Sequence, residues 1–233
     1  MSILYVVSES DNDAVFYALC AEKLTGRTFS LSSMKNRKGD GVEAVKLQLK
    51  YAVKMVRNAA RGGEQVSFIA AMDNDRAPHA ENTAQPGATG TGLDRARLTL
   101  KERNRAARLA WMIITVESVL GINRAAWGFP IALAVPVEML ESWIVRARRP
   151  EQPQPMPHFS KADSDRARQY YRPTEPPPQW KDLIATEKGG EEMRDFLARV
   201  VRELDAEALA GRSPSFRMFK DWLDAWPRAS IAG

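Results

Sequence analysis

Short apolar runs alternate with amphipathic segments over the first 72 residues, and this alternation restricts the fold more than any other feature. The strand-like runs are rich in β-branched and aromatic residues, whereas the helix-like segments carry apolar residues three or four positions apart. In chain order these segments are 3–7, 11–26, 27–33, 42–63 and 65–72. Strands that alternate with helices predict right-handed crossovers and a parallel sheet with helices on both faces. We therefore predict an α/β fold.

The rest of the chain predicts one more strand, several helices and long irregular segments. A stretch rich in Gly, Pro and Thr predicts a surface loop, and two Pro-rich stretches after residue 148 predict extended chain. Five further segments are expected to be regular: a helix over 94–120, a strand over 130–135 followed by a short helix from Pro136, and helices over 190–211 and 213–226. The expected domains are an α/β core over 1–148 and, packed on it, a Pro-rich wrap with a helical extension over 149–233.

Composition excludes several classes of protein. The chain has 233 residues, 44% of them hydrophobic and 27% charged, which is the range of folded globular proteins. Cys20 is the single cysteine, so a disulfide framework is excluded and thiolate zinc sites are disfavoured. The N-terminus does not resemble a signal peptide, and no apolar stretch is long enough for a membrane span. We expect a cytoplasmic protein with no membrane partner.

Acidic residues follow two of the predicted strands. Glu9 comes soon after the first strand, and Asp73 and Asp75 come directly after the strand over 65–72. Ligands of open parallel sheets collect at the carboxyl ends of the strands, so these acids would converge if the two strands are neighbours. A divalent ion would relieve the repulsion between them, and oxygen ligands without His or Cys favour Mg²⁺ or Mn²⁺.

This pattern resembles the Toprim domain of topoisomerases, primases and overcoming-lysogenization-defect nucleases. The likeness is carried by "VVSES" with Glu9 and by "AAMDND" with Asp73 and Asp75. A later segment, "PVEMLESWIV" with Glu138 and Glu141, is similar to an element of small stand-alone bacterial Toprim-like proteins, and "SPSFRMFKDWL" is similar to their closing segment. The chain departs from the commonest Toprim pattern because serine, not glycine, follows the first acid.

The resemblance implies a Toprim-like core and a metal-dependent nuclease or nickase, with a bacterial defence module as its expected setting. It implies that Glu9 acts as acid/base or metal ligand and that Asp73 and Asp75 hold Mg²⁺. It further implies that Glu141, with Glu138, completes a second metal position. Two such ions can clamp the attacking and leaving oxygens of a phosphodiester.

Basic residues offer contacts for the phosphates of a nucleic-acid partner, with DNA the expected one. They fall in a turn after the second strand and in the segment that opens the helix over 94–120: Lys35, Arg37, Lys38, Arg97, Lys101, Arg105 and Arg108. Lys181 or Lys188 could assist charge stabilisation, and the sequence does not choose between them. The chain has no Walker A motif, so any ATP hydrolysis would come from a partner ATPase.

Other interpretations remain open. Asp73 and Asp75 could cap a turn, and Asp11 and Asp13 are better explained as helix-capping residues. A haloacid-dehalogenase-type phosphatase also has Asp-x-Asp after a strand, but it requires threonine where this chain has Ala77. A non-catalytic regulatory or nucleic-acid-binding subunit with the same fold is the main alternative to a nuclease.

Overall fold

The computed structural model describes residues 2–34, 41–73, 105–136, 143, 144, 147, 184, 185 and 187–227. Within them lie four strands: β1 (Ser2–Val7), β2 (Phe29–Ser33), β3 (Val66–Ala71) and β4 (Ile131–Ala134). The helices are α1 (Asp11–Thr25), α2 (Gly41–Arg61), α3 (Arg105–Leu120), α4 (Met193–Glu203), α5 (Ala206–Arg212) and α6 (Pro214–Asp224).

The four strands form one parallel sheet in the order β2-β1-β3-β4. Val7 at the end of β1 is paired with Ala70 in β3, and Ala71 at the end of β3 is paired with Ala134 at the end of β4. The predicted α/β fold with a parallel sheet is therefore confirmed. The central strand β3 is buried at every position, as expected for a strand covered on both faces.

The described chain separates into two compact units that interleave in sequence. The first comprises Met1–Met72, Trp111–Ala134 and Phe219–Gly233, and the second comprises Asp73–Ala110 and Val135–Met218. The domain boundary predicted at residue 148 lies outside the described residues, so that division stays a prediction.

Local sequence signals explain how α1 begins and ends. Ser10 is the N-cap residue: its hydroxyl accepts a hydrogen bond from the Asp13 backbone N–H at 3.2 Å, and the Asp13 carboxylate accepts one from the Ser10 N–H at 3.0 Å. This reciprocal capping box satisfies two backbone donors that a helix start leaves unpaired. Gly26 ends the helix in the left-handed conformation, with φ of 68°, as its position after the last apolar residue predicts. The helix-capping role predicted for Asp13 is confirmed.

Helices cover both faces of the sheet in the first unit. Connections between parallel strands are right-handed as a rule, and for this strand order the rule puts α1 on one face and α2 with the end of α3 on the other. On the second face, the guanidinium of Arg57 in α2 donates to the Val119 carbonyl in α3 at 2.8 Å. On the first, the ring of Tyr17 in α1 meets the ring of Phe219 in α6 edge to face, 5.5 Å apart. The C-terminal helix α6 therefore packs against α1, the first helix of the chain.

Two tryptophans and an arginine stack beside α6 in the same unit. The rings of Trp127 and Trp222 are nearly parallel with centroids 5.6 Å apart, and the Arg124 guanidinium carbon lies 3.8 Å from the Trp222 centroid. Burial lowers the pKa of Arg124, and the charge of nearby Glu117 acts in the opposite direction. This stack joins the turn before β4 to the C-terminal helix.

The C-terminal helices differ from the prediction in one respect. A single helix was expected over 190–211, but the chain leaves the helical conformation at Leu204 and restarts after Asp205. The Asp205 carboxylate accepts a hydrogen bond from the Ala208 N–H at 2.9 Å, so it caps a new helix. Leu204, the residue at this turn, is buried. The competition between an N-cap aspartate and helix continuation decided this boundary.

Candidate functional site

Glu9 lies in a short connection that is fixed at both ends. The strand β1 ends at Val7, and the buried Ser8 hydroxyl donates to the Ser10 carbonyl at 2.8 Å, while Ser10 caps α1. The side chain of Glu9 is half-buried. The two serines that distinguish this segment from a glycine-containing turn are therefore the residues that hold the connection in place.

Asp11 ties the start of α1 to the end of β2. The Ser33 hydroxyl donates to a carboxylate oxygen of Asp11 at 2.8 Å. Because β2 and β1 are paired and parallel, this hydrogen bond lies on the carboxyl side of the sheet. The interpretation of Asp11 as a structural residue at the helix start agrees with this contact.

Asp73 lies two residues after Ala71, the last residue of β3, with Met72 between them. The Met72 N–H donates to the Ala134 carbonyl at 3.0 Å, which extends the pairing of β3 with β4 up to the position before Asp73. The side chain of Asp73 is half-buried, and its backbone carbonyl accepts a hydrogen bond from the guanidinium of Arg108.

Arg108 does not belong to a solvated phosphate-binding face, as its spacing with other cations had suggested. Only 3% of its surface is exposed, and its guanidinium is directed at the Asp73 backbone. A helix position that looks like part of a basic surface is instead buried within the second unit. Its role is to fix the chain where β3 ends.

The carboxyl ends of β1, β3 and β4 lie side by side at one edge of the sheet. β3 lies between β1 and β4, and all three are parallel. Glu9 follows β1, Asp73 follows β3, and in sequence Glu138 follows β4. The condition set by the sequence, that the first and third strands be neighbours, is met by the structure.

Several predicted site residues lie outside the described residues, and their predictions stay untested. These are Asp75, Glu138, Glu141, Lys35, Arg37, Lys38, Arg97, Lys101 and Lys181. Arg105 begins α3, and its side chain is also outside them. Among the residues that the structure describes, no three His, Cys, Asp or Glu side chains are grouped as a metal site requires.

Lys188, one of the two lysines considered for charge stabilisation, has a local structural contact. Its ammonium group donates to the carbonyl of Glu191, just before α4. Glu191 in turn accepts hydrogen bonds from Arg199 at 2.7 and 3.1 Å, and this contact holds the pKa of Glu191 below its usual range. Lys188 is thus hydrogen-bonded within the segment that precedes α4.

Cys20 offers no nucleophile. It is fully buried in α1, and burial raises the pKa of its thiol well above the usual range. A thiolate is needed for attack or metal binding, so this residue acts as a small core side chain.

The segment of α2 also carries a basic face, which is not among the nucleic-acid contacts predicted from the sequence. Lys46, Lys50, Lys54, Arg57 and Arg61 recur every three or four residues, which is the spacing of one helical face. The apolar pattern of this segment predicts its buried side, and the spacing of its cations is the signal that predicts the basic face.

Within the part of the chain that the structure describes, no helix is long and apolar enough to cross a membrane. Comparisons of the chain with protein-family models, with curated proteins and with solved structures gave no match.

Proposed function

We propose that this protein hydrolyses phosphodiester bonds of nucleic acid with Mg²⁺ or Mn²⁺, as a Toprim-like nuclease or nickase. One observation carries the proposal: β1 and β3 are adjacent and parallel, and each is followed closely by a carboxylate residue. Sheet ligands collect at such carboxyl edges. A four-stranded parallel sheet flanked by helices is also compatible with a Toprim-like core.

The donor set fits a hard divalent cation. Glu9 and Asp73 would hold the ion, with Asp75 as a further ligand and Glu138 and Glu141 at a second position. Carboxylate oxygens are the ligands that Mg²⁺ and Mn²⁺ prefer, and this proposed ligand set contains no cysteine or histidine. When bound, the ion supplies a Lewis acid that stabilises charge on a phosphodiester.

The chain's own residues would position this chemistry. The Ser8 and Ser10 hydrogen bonds fix the connection that carries Glu9, and Arg108 fixes the backbone of Asp73. Rigid support of this kind matters because small misplacements of a reacting group cost large factors in rate. Glu9 is the residue on the described edge that could accept a proton from an attacking water.

The test is relaxation and linearisation of supercoiled plasmid with Mg²⁺ or Mn²⁺, compared for the unchanged protein, Glu9→Gln and Asp73→Asn. We expect both variants to lose cleavage by at least about a hundredfold while folding normally, since each removes a ligand charge without changing shape. Asp221→Asn on α6 is the matched control, because Asp221 is exposed and carries the same change of charge. EDTA should abolish cleavage.

Metal binding gives a second readout that does not depend on turnover. Electron paramagnetic resonance of Mn²⁺ should show tight binding that Asp73→Asn weakens and Asp221→Asn leaves unchanged. Nucleic-acid binding without cleavage, indifferent to both metal and Asp73→Asn, would instead indicate the non-catalytic subunit.

A further inference from the structure

The outer face of α2 is basic over most of its length. At 100° per residue, Lys46, Lys50, Lys54, Arg57 and Arg61 fall within an arc of about 80° and extend over about 22 Å. Lys50, Lys54 and Arg61 are exposed, and Lys46 and Arg57 are half-buried at the border. We call these five residues the α2 basic stripe.

The buried side of α2 holds the stripe in a fixed orientation. Val45, Leu49, Ala52, Val53 and Val56 are fully buried. The hydrogen bond from Arg57 to the Val119 carbonyl further ties α2 to the end of α3. The stripe is therefore carried by a helix whose rotation is set by the core of the first unit, which preorganises its charges.

The sequence of α2 does not neutralise the charges of Lys50, Lys54 and Arg57 within the helix. No Asp or Glu lies three or four positions from Lys50, Lys54 or Arg57, and each of them has another cation at one of those positions. Like charges at this spacing destabilise a helix. An external polyanion would relieve this repulsion, because each of its phosphates can pair with one cation.

Two large apolar side chains are exposed beside the stripe. Leu47 is 65% exposed and Tyr51 is 58% exposed, and both lie on the outer face of α2. Lysine stems and a tyrosine ring together make a surface suited to a nucleic-acid strand, since cations contact phosphates and the ring can stack on an unpaired base.

We infer that the α2 basic stripe binds the phosphate backbone of nucleic acid. The helix follows the carboxyl end of β2 and precedes the amino end of β3, so its N-terminal half lies on the side of the sheet where β1 and β3 end. A strand bound along α2 would lead toward that edge. The inference rests on the proposed function for the nature of the substrate, but it requires neither metal nor cleavage.

The test is fluorescence anisotropy of a labelled duplex in EDTA over a series of salt concentrations. Lys50→Gln/Lys54→Gln should raise Kd by roughly tenfold at about 0.1 M salt and lower the slope of log Kd against log salt by about 1.8, since each lost phosphate contact contributes about 0.9. Both positions are exposed and glutamine is a good helix former, so the fold should be retained. Circular dichroism and thermal melting check this.

The matched control removes the same charge from other surfaces. Lys23→Gln/Arg194→Gln changes exposed cations on α1 and α4 and should leave the salt slope unchanged. Equal losses of affinity in the two double variants would show that net charge alone is responsible and would overturn the inference. So would tighter binding to vesicles of anionic lipid than to the duplex, with the same dependence on Lys50 and Lys54.

Tyr51→Ser addresses the contribution of stacking. It should weaken binding of a single-stranded oligonucleotide several-fold and leave the duplex Kd unchanged, because stacking needs an unpaired base. An unchanged Kd for the single strand would show that Tyr51 does not contribute to binding. Since all of these measurements are made in EDTA, a protein that binds through α2 but never cuts would refute the proposed nuclease and leave this inference standing.

Discussion

The buried guanidinium of Arg108 donates a hydrogen bond to the backbone carbonyl of Asp73. A charged donor inside the second unit thus fixes the chain at the point where β3 ends. A hydrogen bond with a charged donor is stronger than one between neutral groups. If one partner of a buried hydrogen bond is removed, the free energy of unfolding falls because the remaining polar group is buried without a partner. The contact connects the packing of α3 to the position of a proposed metal ligand.

Arg108→Met should therefore reduce both stability and cleavage. We expect the free energy of unfolding to fall by about 1–3 kcal/mol, because the Asp73 carbonyl loses a charged donor. Urea denaturation measures this change, and the plasmid assay measures the change in cleavage. Arg194→Met, at an exposed position on α4, is the control and should change stability by less than about 0.5 kcal/mol. A normal stability for Arg108→Met would contradict the role assigned to this contact.

Ser10→Ala should destabilise the protein through the start of α1. The hydroxyl accepts from the Asp13 N–H, and removal of an N-cap of this type costs about 1 kcal/mol. Urea denaturation again provides the measurement. Ser30→Ala on the edge strand β2 is the control, since Ser30 is exposed and should tolerate the change. Equal effects of the two substitutions would argue against the capping box as the cause.

Trp143 and Ser215 allow a double-mutant test of a buried hydrogen bond in the second unit. The indole N–H of Trp143 donates to the Ser215 hydroxyl at 2.8 Å, and both side chains are buried. Ser215→Ala should cost about 1–3 kcal/mol, because it takes away the acceptor of a buried donor. In a Trp143→Phe background the same substitution should cost less, since the donor is gone. Additive costs in the cycle would exclude coupling between the two residues.

The Glu191–Arg199 pair predicts a pH dependence of known sign. The hydrogen bond from Arg199 lowers the pKa of Glu191, so the pair contributes its stability above the ordinary glutamate pKa of about 4.3. That contribution is lost as pH falls through the lower pKa of the folded state. Arg199→Gln should return the pKa of Glu191 toward its usual value, which a carboxyl NMR titration can follow. The Lys220→Gln variant, which breaks the separate ion pair with Asp224, should leave the Glu191 titration unchanged.

Local sequence patterns determined most of the regular elements. The alternation of strand and helix patterns predicted β1, α1, β2, α2 and β3 in the correct order, because side-chain periodicity and capping residues act over a few positions. Ser10, Asp13 and Gly26 illustrate this, since their partners lie within four residues. The same local rules were insufficient at Asp205, where capping of a new helix competes with continuation of the old one.

Tertiary structure decided which of these elements meet. The pairing of β1 with β3, the burial of Arg108 and the exposure of the α2 basic stripe all depend on contacts between residues far apart in the chain. A helical pattern shows that Arg108 and Lys50 each share a face with other cations, but it does not show which face the core covers. Which face is covered depends on how each unit packs. In the second unit Arg108 is buried and contacts the Asp73 backbone, whereas in the first unit Lys50 is exposed to solvent.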